Sequence, residues 1–182
     1  MRPILPFVMA ARLFVAFCLL PSAFLWAQRP ARTPDIHFTP TRHMIADAML
    51  QLAEVGPDDV VCDLGSGDGR IPIIAAQKYG ATGIGIEIDP RLVELSWRNA
   101  NDAEVANRVR FIVGDLFEAD LSQATVVTAY LSPNIMKMLE PRLRALKPGT
   151  RIVSHQFPMT GWKPDKRVQI EESELLLWRV PK

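Results

Sequence analysis

Asp63 and the run Leu-Gly-Ser-Gly-Asp-Gly-Arg that follows it hold the densest chemical information in the chain. The β-branched residues Val60 and Val61 lead into it, and an apolar stretch from Ile71 to Tyr79 follows. That order predicts a buried strand, a tight turn and a helix. Gly65, Gly67 and Gly69 stand at alternate positions of the turn. Their missing Cβ atoms let a ligand reach the backbone, and the helix's first N–H groups are expected to face it. The spacing is Gly-x-Gly-x-Gly. A dinucleotide fingerprint needs a glycine where Arg70 stands, so that pattern is not met. A second carboxylate, Glu87, closes the apolar run from Thr82, 22 residues beyond Gly65. That is one helix plus one strand, which places Glu87 at the edge of the neighbouring strand, where it can accept hydrogen bonds from ribose hydroxyls or stand as a solvated acid. A third, Asp115, follows the run Val109 to Val113. Three successive strands ending in glycine-associated acids predict a cofactor cleft. Tyr130 and His155 follow the next two apolar runs. The tyrosine offers a ring or a hydroxyl to a ligand, or simply packs; the histidine accepts a proton or bonds locally.

These residues need a frame. Met44, Ile45, Ala48, Met49, Leu52 and Ala53 recur at helical spacing between Thr41 and Val55, with Thr41 as the expected N-cap, and this helix is expected to cover one edge of the cleft. Further helices are predicted from Arg91 to Ala100, after Pro90, and from Ser132-Pro133 to Ala145. The remaining strands are expected at 125–130, 151–154, 167–170 and 174–180. Alternating strand and helix imply crossovers and a parallel sheet covered on both faces; the last two strands, joined too tightly for a crossover, pair antiparallel. The fold class is therefore α/β: a Rossmann-like, doubly wound, mainly parallel seven-stranded sheet with an antiparallel last strand. Ligands in such sheets sit beyond the strands' carboxyl ends, where the strand order reverses.

The 182 residues carry 21 basic and 20 acidic side chains. Arg2 and Arg12 precede the apolar run Leu13 to Leu20, then come Pro21 and a small residue at Ala27. Residues 1–27 thus have the three regions of a secretory signal peptide, which makes the chain an exported, periplasmic protein if it is cleaved. An uncleaved membrane anchor with the domain on the cytoplasmic side, and a start set too far upstream, are the other two readings. Residues 28–40, with Pro30, Pro34 and Pro40, read as an extended linker to a domain at 41–182. Loss of residues 1–27 removes two basic residues and no acid, leaving a nearly neutral domain without the footprint of a nucleic-acid binder. Cys18 and Cys62 permit no disulfide inside the domain, and with His37 and His43 they form no Cys/His cluster, so no metal is expected.

Asp63 before the glycine turn resembles motif I of class I S-adenosylmethionine-dependent methyltransferases. A narrower likeness runs from Pro40 to the C-terminus: Pro40-Thr41, Asp63 to Arg70, Gly85-Ile-Glu-Ile-Asp89, Tyr130-Leu-Ser-Pro133, Leu146-Lys-Pro-Gly-Thr-Arg151, Ser154-His-Gln-Phe157 and Trp162-x-Pro. The set is similar to the small protein-lysine methyltransferases of the ATP synthase c-subunit and adenine nucleotide translocase. This resemblance implies S-adenosyl-L-methionine as cofactor. Gly65, Ser66, Gly67 and Gly69 would line its methionine part, with Asp63 near the amino group. Glu87 would hold the ribose, Asp115 and Leu116 the adenine, and Thr41 would close over the whole. Many amino-methylating relatives carry Asn/Asp-Pro-Pro-Tyr/Phe where this chain has Tyr130-Leu-Ser-Pro, a departure that points away from adenine or glutamine amide and toward a lysine amine. The implied catalytic residues are Tyr130 and His155, and the implied partner is a protein presenting a lysine, near a membrane if the N-terminal segment is retained. A small-molecule or lipid methyltransferase, and a non-catalytic cofactor-binding module, stand as the competing readings.

Overall fold

The computed structural model describes residues 38–181; the expected leader and residues 28–37 of the expected linker lie outside them. The elements in chain order are α1 (His43–Leu52), β1 (Val60–Leu64), α2 (Arg70–Tyr79), β2 (Thr82–Glu87), α3 (Pro90–Asp102), β3 (Val109–Val113), β4 (Val126–Ala129), α4 (Pro133–Arg144), β5 (Arg151–His155), β6 (Lys166–Ile170) and β7 (Ser173–Arg179). The strands form one seven-stranded sheet in the order β3-β2-β1-β4-β5-β7-β6. β1 to β5 are parallel to their neighbours, whereas β7 enters between β5 and β6 and runs antiparallel to both. The expected fold class holds.

Successive strand residues point to opposite faces, and both faces are apolar. Val61, Val126, Val153, Leu175 and Leu177 pack with α1 and α2. Their neighbours Cys62, Val127, Ile152, Leu176 and Trp178 pack with Ile135, Met136, Leu139 and Leu143 of α4. Two full layers of helix therefore clamp the strand ends that carry the chemistry. Gly83 shows how closely. A Cβ there would lie 2.6 Å from the Pro72 carbonyl oxygen of α2. Its backbone is ordinary strand, so the cost of a side chain is steric alone. Gly83→Ala is expected to destabilise the protein by about 2 kcal/mol, read as a lower urea midpoint with an unchanged slope.

The helix starts follow local chemistry, with one correction. Asp89 caps α3 by accepting from the Arg91 N–H at 2.9 Å, and Pro90 occupies the first turn. For α1 the expected cap was Thr41, but the cap is Arg42, whose carbonyl accepts from Ile45 and Ala46 without any side-chain cap bond. Thr41 lies one residue further out, nearly buried, and its carbonyl is taken by Arg70. The link from β3 to β4 holds no helix; Arg142 of α4 pins it by donating to the carbonyls of Leu116, Phe117 and Ala119. No helix among the described residues is long and apolar enough to cross a membrane.

Candidate active site

Strand order reverses between β1 and β4, and there, beyond the carboxyl ends, lies a cleft of about 1000 Å³. That is the upper end of the ~300–1,000 Å³ typical of small-molecule sites. Of the residues expected from sequence, Thr41, Asp63, Gly65, Ser66, Glu87, Asp115, Leu116 and Tyr130 line it. Gly67, Gly69 and His155 are not among its lining residues.

Asp63 sits at the base, 4 % exposed, and accepts a hydrogen bond from the Thr128 hydroxyl of β4 at 2.7 Å. Burial raises its pKa to about 7 against the opposing Thr128 bond, and the nearby charges of Glu87 and Asp68 push the same way. A buried carboxyl held at that threshold suits a cationic ligand. Glu87 is the hub of the adjoining wall: Oε2 accepts from Gly67 N–H at 2.9 Å, and Oε1 accepts from the N–H groups of Ile88 at 2.8 Å and Asp89 at 2.9 Å. One carboxylate thus ties the glycine turn to the segment after β2. Asp115 caps the next turn by accepting from Phe117 N–H at 2.9 Å.

Four N–H groups of the turn are engaged within the fold: Gly65 and Ser66 donate to the Ile86 carbonyl, Gly67 to Glu87, and Gly69 to the Ser66 carbonyl. Gly69, at φ +79°, is a packing glycine, since a Cβ there would meet the Phe111 ring at 2.6 Å and Ser96 at 2.8 Å. The bare face of Gly67 is covered by the ring of Phe38. Ser66 Oγ is buried against Gly85 and has no partner. The acceptors beside the turn, Asp63 and Glu87, suit the ammonium and hydroxyls of S-adenosylmethionine better than phosphates.

Tyr130 forms the far wall, beside the buried Leu131 and Ile135. His155 lies behind it, the two rings 4.1 Å apart between centroids, and its Nε2 shares a hydrogen bond of 3.0 Å with the Ser173 hydroxyl. Its Nδ1 is buried without a partner, and desolvation lowers its pKa, so the ring is neutral at pH 7. His155 thus lies outside the cleft's lining and bonds to β7. Gln156, in the left-handed region at φ +72°, and the Ser154 hydroxyl bonded to the Phe157 carbonyl at 2.6 Å shape the turn that follows. Phe157 stacks on Tyr130 at 6.3 Å. Sequence reasoning missed Thr128, although a lone hydroxyl in an apolar strand demands a buried partner. It also missed residues 38–40, read as linker, which line the cleft.

The ANTKMT methyltransferase domain matches residues 63–166, more than half of the chain, from the end of β1 to the start of β6. The chain belongs to this family. A protein-lysine N-methyltransferase of Saccharolobus islandicus (strain REY15A) is 40 % identical over 78 % of this chain and 89 % of its own length. The adenine nucleotide translocase lysine N-methyltransferase of Mus musculus is 37 % identical over 64 % of this chain and 51 % of its own, so the chain spans about half of that protein. A crystal structure from Salinibacter ruber, described as an RNA methyltransferase in complex with S-adenosyl-L-homocysteine, is 52 % identical with a TM-score of 0.78, covering 79 % of this chain and 95 % of that one. This ANTKMT-family chain is an S-adenosylmethionine-dependent methyltransferase.

Proposed function

We propose that this chain methylates lysine side chains of a protein, with Asp63 pairing the cofactor's ammonium, Glu87 its ribose, and Asp115 and Leu116 beside its adenine. The observation that carries the reading is the charge of the cleft. Arg70, Arg91 and Arg98 line it, and each is ion-paired to a carboxylate: Asp68, Asp89 and Glu94 respectively. Asp63 and Glu87 remain as lining acids at the ends of β1 and β2. Such a surface attracts an ammonium and offers a phosphate backbone little. The 40 % identity to a protein-lysine methyltransferase over nearly its whole length supports the same acceptor.

S-adenosylmethionine supplies the electrophilic methyl. The protein's task is to align the attacking amine and to favour its neutral form, since a free lysine has a pKa of about 10.4. The apolar wall of Leu131 and Ile135 beside Tyr130 disfavours charge where the amine arrives. Tyr130 steers it through its ring face. Tyr130→Phe should keep most of the activity and Tyr130→Ala should lose about tenfold in kcat, with S-adenosylhomocysteine affinity little changed. A loss in Tyr130→Phe as deep as in Tyr130→Ala would move the role from the ring to the hydroxyl.

An RNA acceptor is the second reading, favoured by the description of the Salinibacter ruber relative. The deciding experiment transfers radiolabelled methyl from S-adenosylmethionine to an extract of cells lacking the gene, followed by separation into protein, RNA, lipid and metabolite fractions. Label recovered as methyl-lysine in protein is expected. Label confined to RNA or to a small molecule overturns the reading.

A further inference from the structure

Phe38, Thr39, Pro40 and Thr41 form a strap along the cleft. The first three are exposed on their outer side, so the strap adds little to the core. Two contacts hold it. The Phe38 ring lies where a Cβ of Gly67 would stand, 2.2 Å from that position. The second contact is a hydrogen bond from Arg70 Nη1 to the Thr41 carbonyl at 2.7 Å.

Arg70 is oddly placed by ordinary rules. It is the first residue of α2, at the positive end of the helix dipole, where a cation is disfavoured. The structure compensates for it locally. Asp68 takes Nε at 2.9 Å through Oδ1 and Nη2 through Oδ2, so the guanidinium is gripped at both ends of its fork. Asp68 is itself held, its carbonyl accepting from the Asn99 amide at 2.9 Å. The remaining Nη1 is thereby aimed at the strap. Only a planar fork makes a two-point grip and a third, divergent bond together; a lysine ammonium does not reproduce it.

We propose that Arg70 is a positioning residue for cofactor binding: with Asp68 it latches the strap 38–41 over the glycine turn, and the latch sets how long the cofactor stays. The proposal rests on the assignment of this cleft to S-adenosylmethionine. Arg70 acts through the strap and touches no reacting atom. Its residue type at a helix start, where propensity argues against it, is the mark of a local rule broken for function.

The test uses the full-length protein and S-adenosylhomocysteine as probe, with calorimetry for Kd and release of labelled ligand for the dissociation rate. Arg70→Lys is expected to raise Kd and the dissociation rate about tenfold, to raise KM for S-adenosylmethionine, and to leave kcat and the KM of the methyl acceptor close to the parent values. Phe38→Ala leaves the Asp68–Arg70 pair in place and should speed release similarly. Because both substitutions open one strap, the double variant should lose less than the product of the two. Unchanged release in Arg70→Lys, or multiplicative losses in the double variant, overturns the latch. If Arg70→Lys fails to fold, unchanged release in Phe38→Ala overturns it alone. Absence of binding by the parent protein overturns the cofactor assignment instead, which keeps the two failures distinct.

Discussion

Asp63→Asn is expected to give a protein that resists denaturation better than its parent above pH 7 yet binds S-adenosylhomocysteine at least about 100-fold more weakly. The two effects have one origin. In the folded protein the carboxyl has a pKa of about 7, chiefly because it is buried; unfolded, it returns to about 3.9. The fold therefore favours the protonated form. Stability is intact below about pH 4, falls as pH rises through the interval up to 7, and above it is lower by on the order of 3–4 kcal/mol. Asparagine keeps a carbonyl to accept from Thr128 and carries no charge, so it escapes that cost. What it loses is the charge that the proposed function pairs with the cofactor's ammonium. Affinity of the parent should weaken as pH drops below 7, where Asp63 takes up a proton, while that of Asp63→Asn stays flat. Calorimetric titrations between pH 5.5 and 8.5, beside urea unfolding at pH 5 and pH 8, measure both. Identical pH profiles for parent and variant would remove Asp63 from the binding reaction.

Glu87→Gln should be nearly as damaging despite its equal size. Both carboxylate oxygens face backbone donors, Oε2 toward Gly67 and Oε1 toward Ile88 and Asp89. An amide has one acceptor end. Whichever way it turns, its NH₂ points at one donor or at two, and the bonds fixing the turn against the end of β2 are lost on that side. A buried donor left without a partner costs about 1–3 kcal/mol. The ribose acceptor is disturbed as well, so the expected loss of S-adenosylhomocysteine affinity is about 30- to 100-fold, with a lower melting temperature. An affinity within threefold of the parent would mean that the turn holds its shape without this carboxylate.

The strands and helices were legible because their apolar residues follow unambiguous periods. Val60 to Leu64, Thr82 to Glu87 and Val109 to Val113 are short β-branched runs, and the acids at their ends land together once the sheet is parallel. The acidic lining of the cleft was therefore readable from Asp63, Glu87 and Asp115. Where reading fell short, the cause was contact across the chain. Gly69 resembles a ligand glycine in sequence, yet the atoms next to it belong to Phe111 and Ser96. Thr41 looks like a cap, but the chain turns one residue later. Nothing local tells that residues 38–40, proline-containing and polar at Thr39, lie against the turn rather than in solvent, because the bond that brings the segment in starts from Arg70. His155 is of a kind: its partner Ser173 is 18 residues away, at the first position of β7.

Cys62 adjoins Asp63 in sequence but belongs to the opposite face of the sheet, packed beneath α4 and 1 % exposed. Burial, reinforced by the charge of Asp63, pushes its thiol up to about 12. Since the thiolate is the species that oxidants and alkylating agents attack, this sulfur is chemically silent in the folded protein. Among the described residues it is the only cysteine. That part of the chain thus carries no thiol that glutathione, peroxide or a disulfide exchanger would readily engage.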